Sequence, residues 1–157
     1  MDEYRRKFLA GSSAATLLYP LLGLGLLKPG RVIAAEWQKN SFSARTINDA
    51  LKAYGSAGAS ESSDIMIAAP EIAENGAKVE IEVSCRIPNT RSIALFADKN
   101  PTPLCAEIEF GANAQAYARI QIKLGESTRL RAIAKNQDGK SHVAFKEIKV
   151  TLGGCGG

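Results

Sequence analysis

KVEIEVSCRI, residues 78–87, decides the fold. Val79, Ile81, Val83, Cys85 and Ile87 fall on one side of an extended chain, and Glu80, Glu82, Ser84 and Arg86 on the other. A period of two belongs to a strand with one face in a core and the other in water. Wound as a helix, the same residues would scatter their apolar groups around the whole circumference.

The period recurs on both sides of this stretch. AYARIQIKL (116–124), STRLRAIAK (127–135) and HVAFKEIKVTL (142–152) alternate in the same way. In the last of these, Val143 and Phe145 are out of phase with Ile148, Val150 and Leu152, which predicts a bulge between Phe145 and Ile148. SIALFAD (92–98) and LCAEIEF (104–110) are shorter strands, and DIMIAA (64–69) is the first. LGES (124–127) and NQDGK (136–140) supply turns. Seven short strands over residues 64–152, each with a polar face, predict a mainly β fold: a seven-stranded antiparallel, immunoglobulin-like sandwich.

Ahead of the strands the period changes. In SARTINDALKAYG (43–55), Ile47, Ala50, Leu51 and Tyr54 recur at helical spacing. Thr46 with Asp49 resembles a capping box, and Gly55 is a suitable C-terminal stop. SAGASESS (56–63) reads as a linker, so residues 36–63 form a helix-and-linker segment that packs on one side or end of the sandwich.

The first 35 residues have a different character. Arg5, Arg6 and Lys7 precede an apolar stretch from Phe8 to Leu27, then Pro29-Gly30 and small residues. That order is an export signal, expected to be cleaved after about Ala34 or Ala35. The pair Arg5-Arg6 before Phe8-Leu9 resembles a twin-arginine signal, which places the folded protein in the periplasm. A membrane anchor is the competing reading, weakened by Gly11, Pro20, Gly23 and Gly25. The segment also accounts for the pI near 9.0. Without it the chain holds 15 basic and 14 acidic side chains, so no basic patch for nucleic acid is expected, nor a stable membrane association.

Groups able to catalyse are scarce. The single histidine, His142, opens the final strand and reads as an exposed strand residue. One histidine and three scattered cysteines make no metal signature, and no phosphate loop, dinucleotide fingerprint, haem-attachment motif or nucleophilic triad is present. Cys85 shares the apolar side of its strand and reads as a small buried hydrophobe. Cys105 shares parity with Glu107 and Glu109 and should face outward unless a bulge turns it. In an oxidising compartment a Cys85–Cys105 disulfide is one open possibility, opposed by the opposite facing of the two residues and favoured by the absence of any other partner.

The third cysteine is different. Cys155 stands between Gly153-Gly154 and Gly156-Gly157, next to nothing that could bury it. Its neighbours offer no base and no cation to make a thiolate, and a nearby carboxylate at the end of the chain would raise a thiol pKa. The thiol is therefore a modest nucleophile until another protein's site activates it, which is the logic of a carrier. From Leu152 an extended chain puts the Cys155 backbone within about 10 Å, and glycines add no bulk in a narrow channel. Residues 153–157 thus read as a flexible arm on the end of the last strand.

GGCGG after a strand of the type EIKVTL resembles the end of the SoxY family, the sulfur carriers of the periplasmic Sox thiosulfate-oxidation system. The likeness extends to KNPTPLCAEIEF (99–110) and RIQIKLGESTRLRAIAKNQDGK (119–140). The resemblance implies a non-enzymatic, cofactor-free carrier with cargo on Cys155. It implies a heterodimer or heterotetramer with a SoxZ-like subunit. It also implies transient contacts with SoxXA, which attaches thiosulfate, with the hydrolase SoxB, and with a sulfane dehydrogenase where one exists. Cys85 and Cys105 lie outside the motif. A periplasmic metal-delivery protein and a structural binding sandwich with an incidental tail thiol are the alternatives.

Overall fold

The structure, a computed structural model, describes residues 39–151. The export-signal reading and the arm, residues 1–38 and 152–157, fall outside them.

Among the described residues two short helices come first, α1 (Lys39–Ser43) and α2 (Ile47–Tyr54). The N-terminus of α2 is capped as its sequence predicts: Thr46 Oγ1 accepts from the Asp49 amide at 3.2 Å and donates to Asp49 Oδ2 at 2.7 Å. Gly55 ends the helix in the left-handed region, with φ of 74°. Ala50, Leu51 and Tyr54 form its buried face.

Nine strands follow among the described residues, where seven are expected. They are β1 (Ser60–Glu61), β2 (Ile65–Ala68), β3 (Ile72–Ala73), β4 (Val79–Cys85), β5 (Thr90–Ala97), β6 (Leu104–Glu109), β7 (Tyr117–Ile122), β8 (Thr128–Asn136) and β9 (Ser141–Val150). The larger sheet runs β1-β9-β8-β5-β6, with β3 also on β9, and the smaller runs β2-β4-β7. The two additional strands, β1 and β3, pair with β9 in parallel, so the larger sheet is not wholly antiparallel. Each has two residues, too few to show a period, and β1 lies inside the stretch read as a linker.

The alternation of residues 78–87 is borne out. Val79, Ile81, Val83 and Cys85 are buried, and the core between the sheets joins them to Ile93, Leu95, Leu130, Ala132 and Ile148. A second core lies on the opposite face of the larger sheet. There Ala50, Leu51 and Tyr54 of α2 cover Ala94, Phe96, Leu104, Ile133 and Val143. The described residues thus form three layers, helix on sheet on sheet, and the central layer is buried on both faces.

This layering corrects the reading of β9. The β8–β9 register is continuous from Thr128↔Ile148 to Lys135↔Ser141, so no bulge separates Phe145 from Ile148. Val143 is buried under the helix layer and Ile148 between the sheets. Two apolar phases in one regular strand record two cores. The irregularities of the larger sheet lie elsewhere, between Leu95 and Phe96 where β5 meets β6 and between Thr90 and Ser92 where β5 meets β8.

A polar cluster fastens the helix to the sheet. The Tyr54 hydroxyl donates to Glu107 Oε1 at 3.0 Å and lies 3.2 Å from Ser92 Oγ. Lys135 donates to the Tyr54 carbonyl at the helix C-terminus, and its ammonium stands 3.5 Å from the centre of the Tyr54 ring. Burial, with Glu107 beside it, holds the Tyr54 phenol well above its ordinary pKa, while burial lowers that of Lys135.

Candidate arm root and its surroundings

Cys155 and its flanking Gly153, Gly154, Gly156 and Gly157 lie outside the described residues. The structure describes the root from which they extend. β9 ends at Val150, and Thr151 donates its amide to the Ala73 carbonyl at 3.0 Å. The Lys149 amide bonds the Glu71 carbonyl at 2.9 Å. On the other side, Ser127 Oγ accepts from the Val150 amide at 2.9 Å. The final residues of β9 are therefore held from both flanks. β3, which sequence reading missed, supplies one of those flanks.

Gly76 completes the root. Its carbonyl accepts from the Leu124 amide at 2.7 Å. A Cβ on Gly76 would meet the Leu124 carbonyl oxygen at 2.4 Å and Val150 Cγ1 at 2.8 Å. The chain can pass there only without a side chain. Counting from Thr151, the backbone of Cys155 is within about 14 Å at full extension. The last described residue, Thr151, is therefore a fixed point at the end of β9.

Around the root, a groove of about 490 Å³ is lined by Asp98, Lys99, Ser127, Arg129, Glu147 and Lys149, among others. Asp98 accepts from Arg131 Nε at 2.5 Å and Nη2 at 2.8 Å, and from Arg129 Nε at 3.0 Å. Both guanidinium groups also lie over the Phe145 ring, at 4.9 Å for Arg129 and 5.4 Å for Arg131. These residues share no sequence motif. Their register across β8 and β9 brings them together, with Arg131 directly opposite Phe145.

The structure separates the other two cysteines. Both are free thiols. Cys85 is 9% exposed, as a buried hydrophobe should be, and lies 3.3 Å from Thr90 Oγ1 at the start of β5. Cys105 belongs to the opposite end of the sandwich, beside the end of β5. There Leu95 pairs with Ala106 and Phe96 with Leu104, so Cys105 is the extra residue of a bulge. The bulge turns it against the core rather than outward. Six residues of β5 separate the two sites, roughly 20 Å of strand. A disulfide needs Cα atoms within about 7 Å. The open Cys85–Cys105 pairing is thus ruled out by the architecture. Burial raises the Cys105 thiol above its ordinary pKa, which keeps it protonated and slow to react.

His142 is half-buried, with Nδ1 3.2 Å from Ser60 Oγ. Among the described residues, no group of three or more His, Cys, Asp or Glu side chains could hold a metal ion.

Known proteins share this fold. The family model for sulfur oxidation protein SoxY matches residues 50–155 and so runs through to Cys155. The sulfur carrier protein SoxY from Chlorobium limicola f thiosulfatophilum is 31% identical, with a TM-score of 0.61 over 73% of this chain and 99% of that one. A superoxide reductase (neelaredoxin) from Ignicoccus hospitalis is 25% identical with a TM-score of 0.50, covering 64% of this chain and 87% of that one. No curated protein matches the chain. Its fold and the reach of the family match to Cys155 lead to one assignment: the chain belongs to the SoxY family of sulfur-oxidation proteins.

Proposed function

We propose that this protein is a carrier that binds thiosulfate and its oxidation intermediates covalently on Cys155 and presents them to partner enzymes. The observation that carries this reading is the SoxY family match, which takes in the glycine-flanked cysteine at residue 155. The root geometry supports it: β9 is tied at Lys149, Val150 and Thr151, so the residues beyond start from a defined place.

In the loading step, a sulfur–sulfur bond forms between Cys155 Sγ and the outer sulfur of thiosulfate. The thiol proton is lost, and an electron pair passes to a haem enzyme of the SoxXA type. The product is a cysteine S-thiosulfonate. Hydrolysis by a SoxB-type enzyme then releases sulfate and leaves the sulfane sulfur on Cys155 for further oxidation. The carrier supplies attachment and reach, and the partners supply activation, because Cys155 has neither base nor cation beside it in sequence. The same proposal places the protein in the periplasm, exported by the twin-arginine route and paired with a SoxZ-like subunit.

Intact-mass measurement after incubation with thiosulfate and the haem enzyme tests it. The expected adduct is heavier than the free carrier by one S2O3 unit and is absent from Cys155→Ser. An adduct that persists in the serine variant overturns the proposal.

A further inference from the structure

The two sheets differ in how their edges are finished. On one flank of the larger sheet, β9 is covered by β1 and β3. On the other, β6 pairs only with β5, and across the sandwich β7 pairs only with β4. Among the described residues, β6 and β7 therefore have no further strand beside them along this flank, where α1 also touches β6, while β2, which pairs only with β4, is a third edge strand on the other flank.

The backbone of β6 shows what that flank offers. The Phe110 amide bonds the Arg91 carbonyl at 2.8 Å, and Ile108 stands opposite Ile93 in the same register. Antiparallel bonding alternates along a strand. Ile108 and Phe110 therefore point their amides and carbonyls toward β5, and Glu107 and Glu109 point theirs away from the sheet. A row of outward amides and carbonyls is a template for another strand. The side chains agree. Ile108 is half-buried, and Phe110, Ala118 and Ile120 are only partly covered as they pack against the core. They leave an incompletely closed apolar seam between β6 and β7.

We propose that the free edge of β6 takes a strand from a second, different chain, one that alternates apolar and basic residues. Its apolar side chains close the seam beside Ile108, and its basic ones stand next to Glu107 and Glu109. Charge selects this occupant over a second copy of the same protein. Antiparallel pairing of β6 with itself would set Glu107 and Glu109 of the two copies across from one another, and like charges at such positions repel. Strand addition provides affinity through the main chain and specificity through alternate side chains.

The identity of the donor rests on the carrier reading above, in which the permanent partner is a SoxZ-like subunit, and that subunit is the probe. Amide hydrogen exchange at Glu107 and Glu109 is measured in the full mature chain, alone and with the probe. Both amides are expected to slow by about tenfold or more in the complex, as newly bonded amides do. Glu109→Pro removes one outward amide without disturbing the bonds to β5, and is expected to weaken the complex about tenfold. Glu109→Lys leaves the backbone intact, and is expected to weaken binding by opposing a basic strand, less so in high salt. A complex that forms while both amides exchange freely, or that Glu109→Lys binds as well as wild type, overturns the strand-addition proposal and leaves the carrier reading intact. Absence of any complex also overturns it. Protected amides in a protein that forms no thiosulfate adduct uphold the edge and sink the carrier reading.

Discussion

Gly76 lies so close to Val150 that a single added methyl would stand 2.8 Å from Val150 Cγ1 and 2.4 Å from the Leu124 carbonyl oxygen. The second contact is with backbone, which cannot swing aside. Gly76→Ala is therefore expected to destabilise the protein by about 1–3 kcal/mol, the usual cost of overpacking a tight site. The damage should concentrate at the end of β9. Urea unfolding measures the loss, and amide exchange at Val150 and Thr151 locates it. A variant as stable as wild type would show that the crossing is not tight.

Asp98 and Lys99 are neighbours with unequal roles. The Asp98 side chain is 15% exposed and binds two arginines, whereas Lys99 and Glu126 meet at 3.9 Å with side chains 59% and 62% exposed. Removing Asp98 leaves Arg131, itself 17% exposed, without its carboxylate. Asp98→Ala is expected to cost about 2 kcal/mol. Lys99→Ala is expected to cost less than about 0.5 kcal/mol, because an exposed pair is screened by solvent. Thermal unfolding of the two variants makes the comparison.

Tyr54 makes stability depend on pH. Its folded-state pKa lies above the ordinary value of 10.0, because burial and Glu107 both oppose the phenolate. The stabilisation is fully present below pH 10.0 and is lost as pH rises above it, since the unfolded chain then releases a proton that the folded one retains. Tyr54→Phe is expected to be less stable at pH 7 by about 1 kcal/mol, through loss of the bonds to Ser92 and Glu107. Its stability should also fall less steeply above pH 10.0. Unfolding curves between neutral and alkaline pH, run on both proteins, read the difference in slope.

The described cysteines should be slow thiols. Cys85 is buried in the core, and Cys105 is partly covered with its pKa raised. Cys155→Ser is expected to react with iodoacetamide at neutral pH at least about tenfold more slowly than the full set of thiols does in wild type. It should also show no internal disulfide by mass. A Cys85–Cys105 linked peptide recovered under non-reducing conditions would contradict the architecture.

Much of this protein could be read locally. The alternation of residues 78–87, the Thr46–Asp49 cap and the Gly55 stop are determined by nearest neighbours along the chain, and the structure contains each of them. The glycine-flanked cysteine was legible for the same reason: its lack of a base, a cation or bulky neighbours is visible in five consecutive letters.

Tertiary structure decided the rest, because periodicity tells which side chains share a face and not what covers that face. In β9, Val143 packs under α2 and Ile148 between the sheets, so a regular strand in a central layer resembles a bulged one on the page. The real bulge, at Cys105, comes from a mismatch between β5 and β6 and turns that thiol inward against its parity. β1 and β3 exist only because β9 offers them an edge. Gly76 is required only because Leu124 and Val150 converge on it from distant parts of the chain. The sequence by itself determined seven of the nine described strands and the place of the thiol. Packing between layers determined where the end of β9 is anchored, up to Thr151.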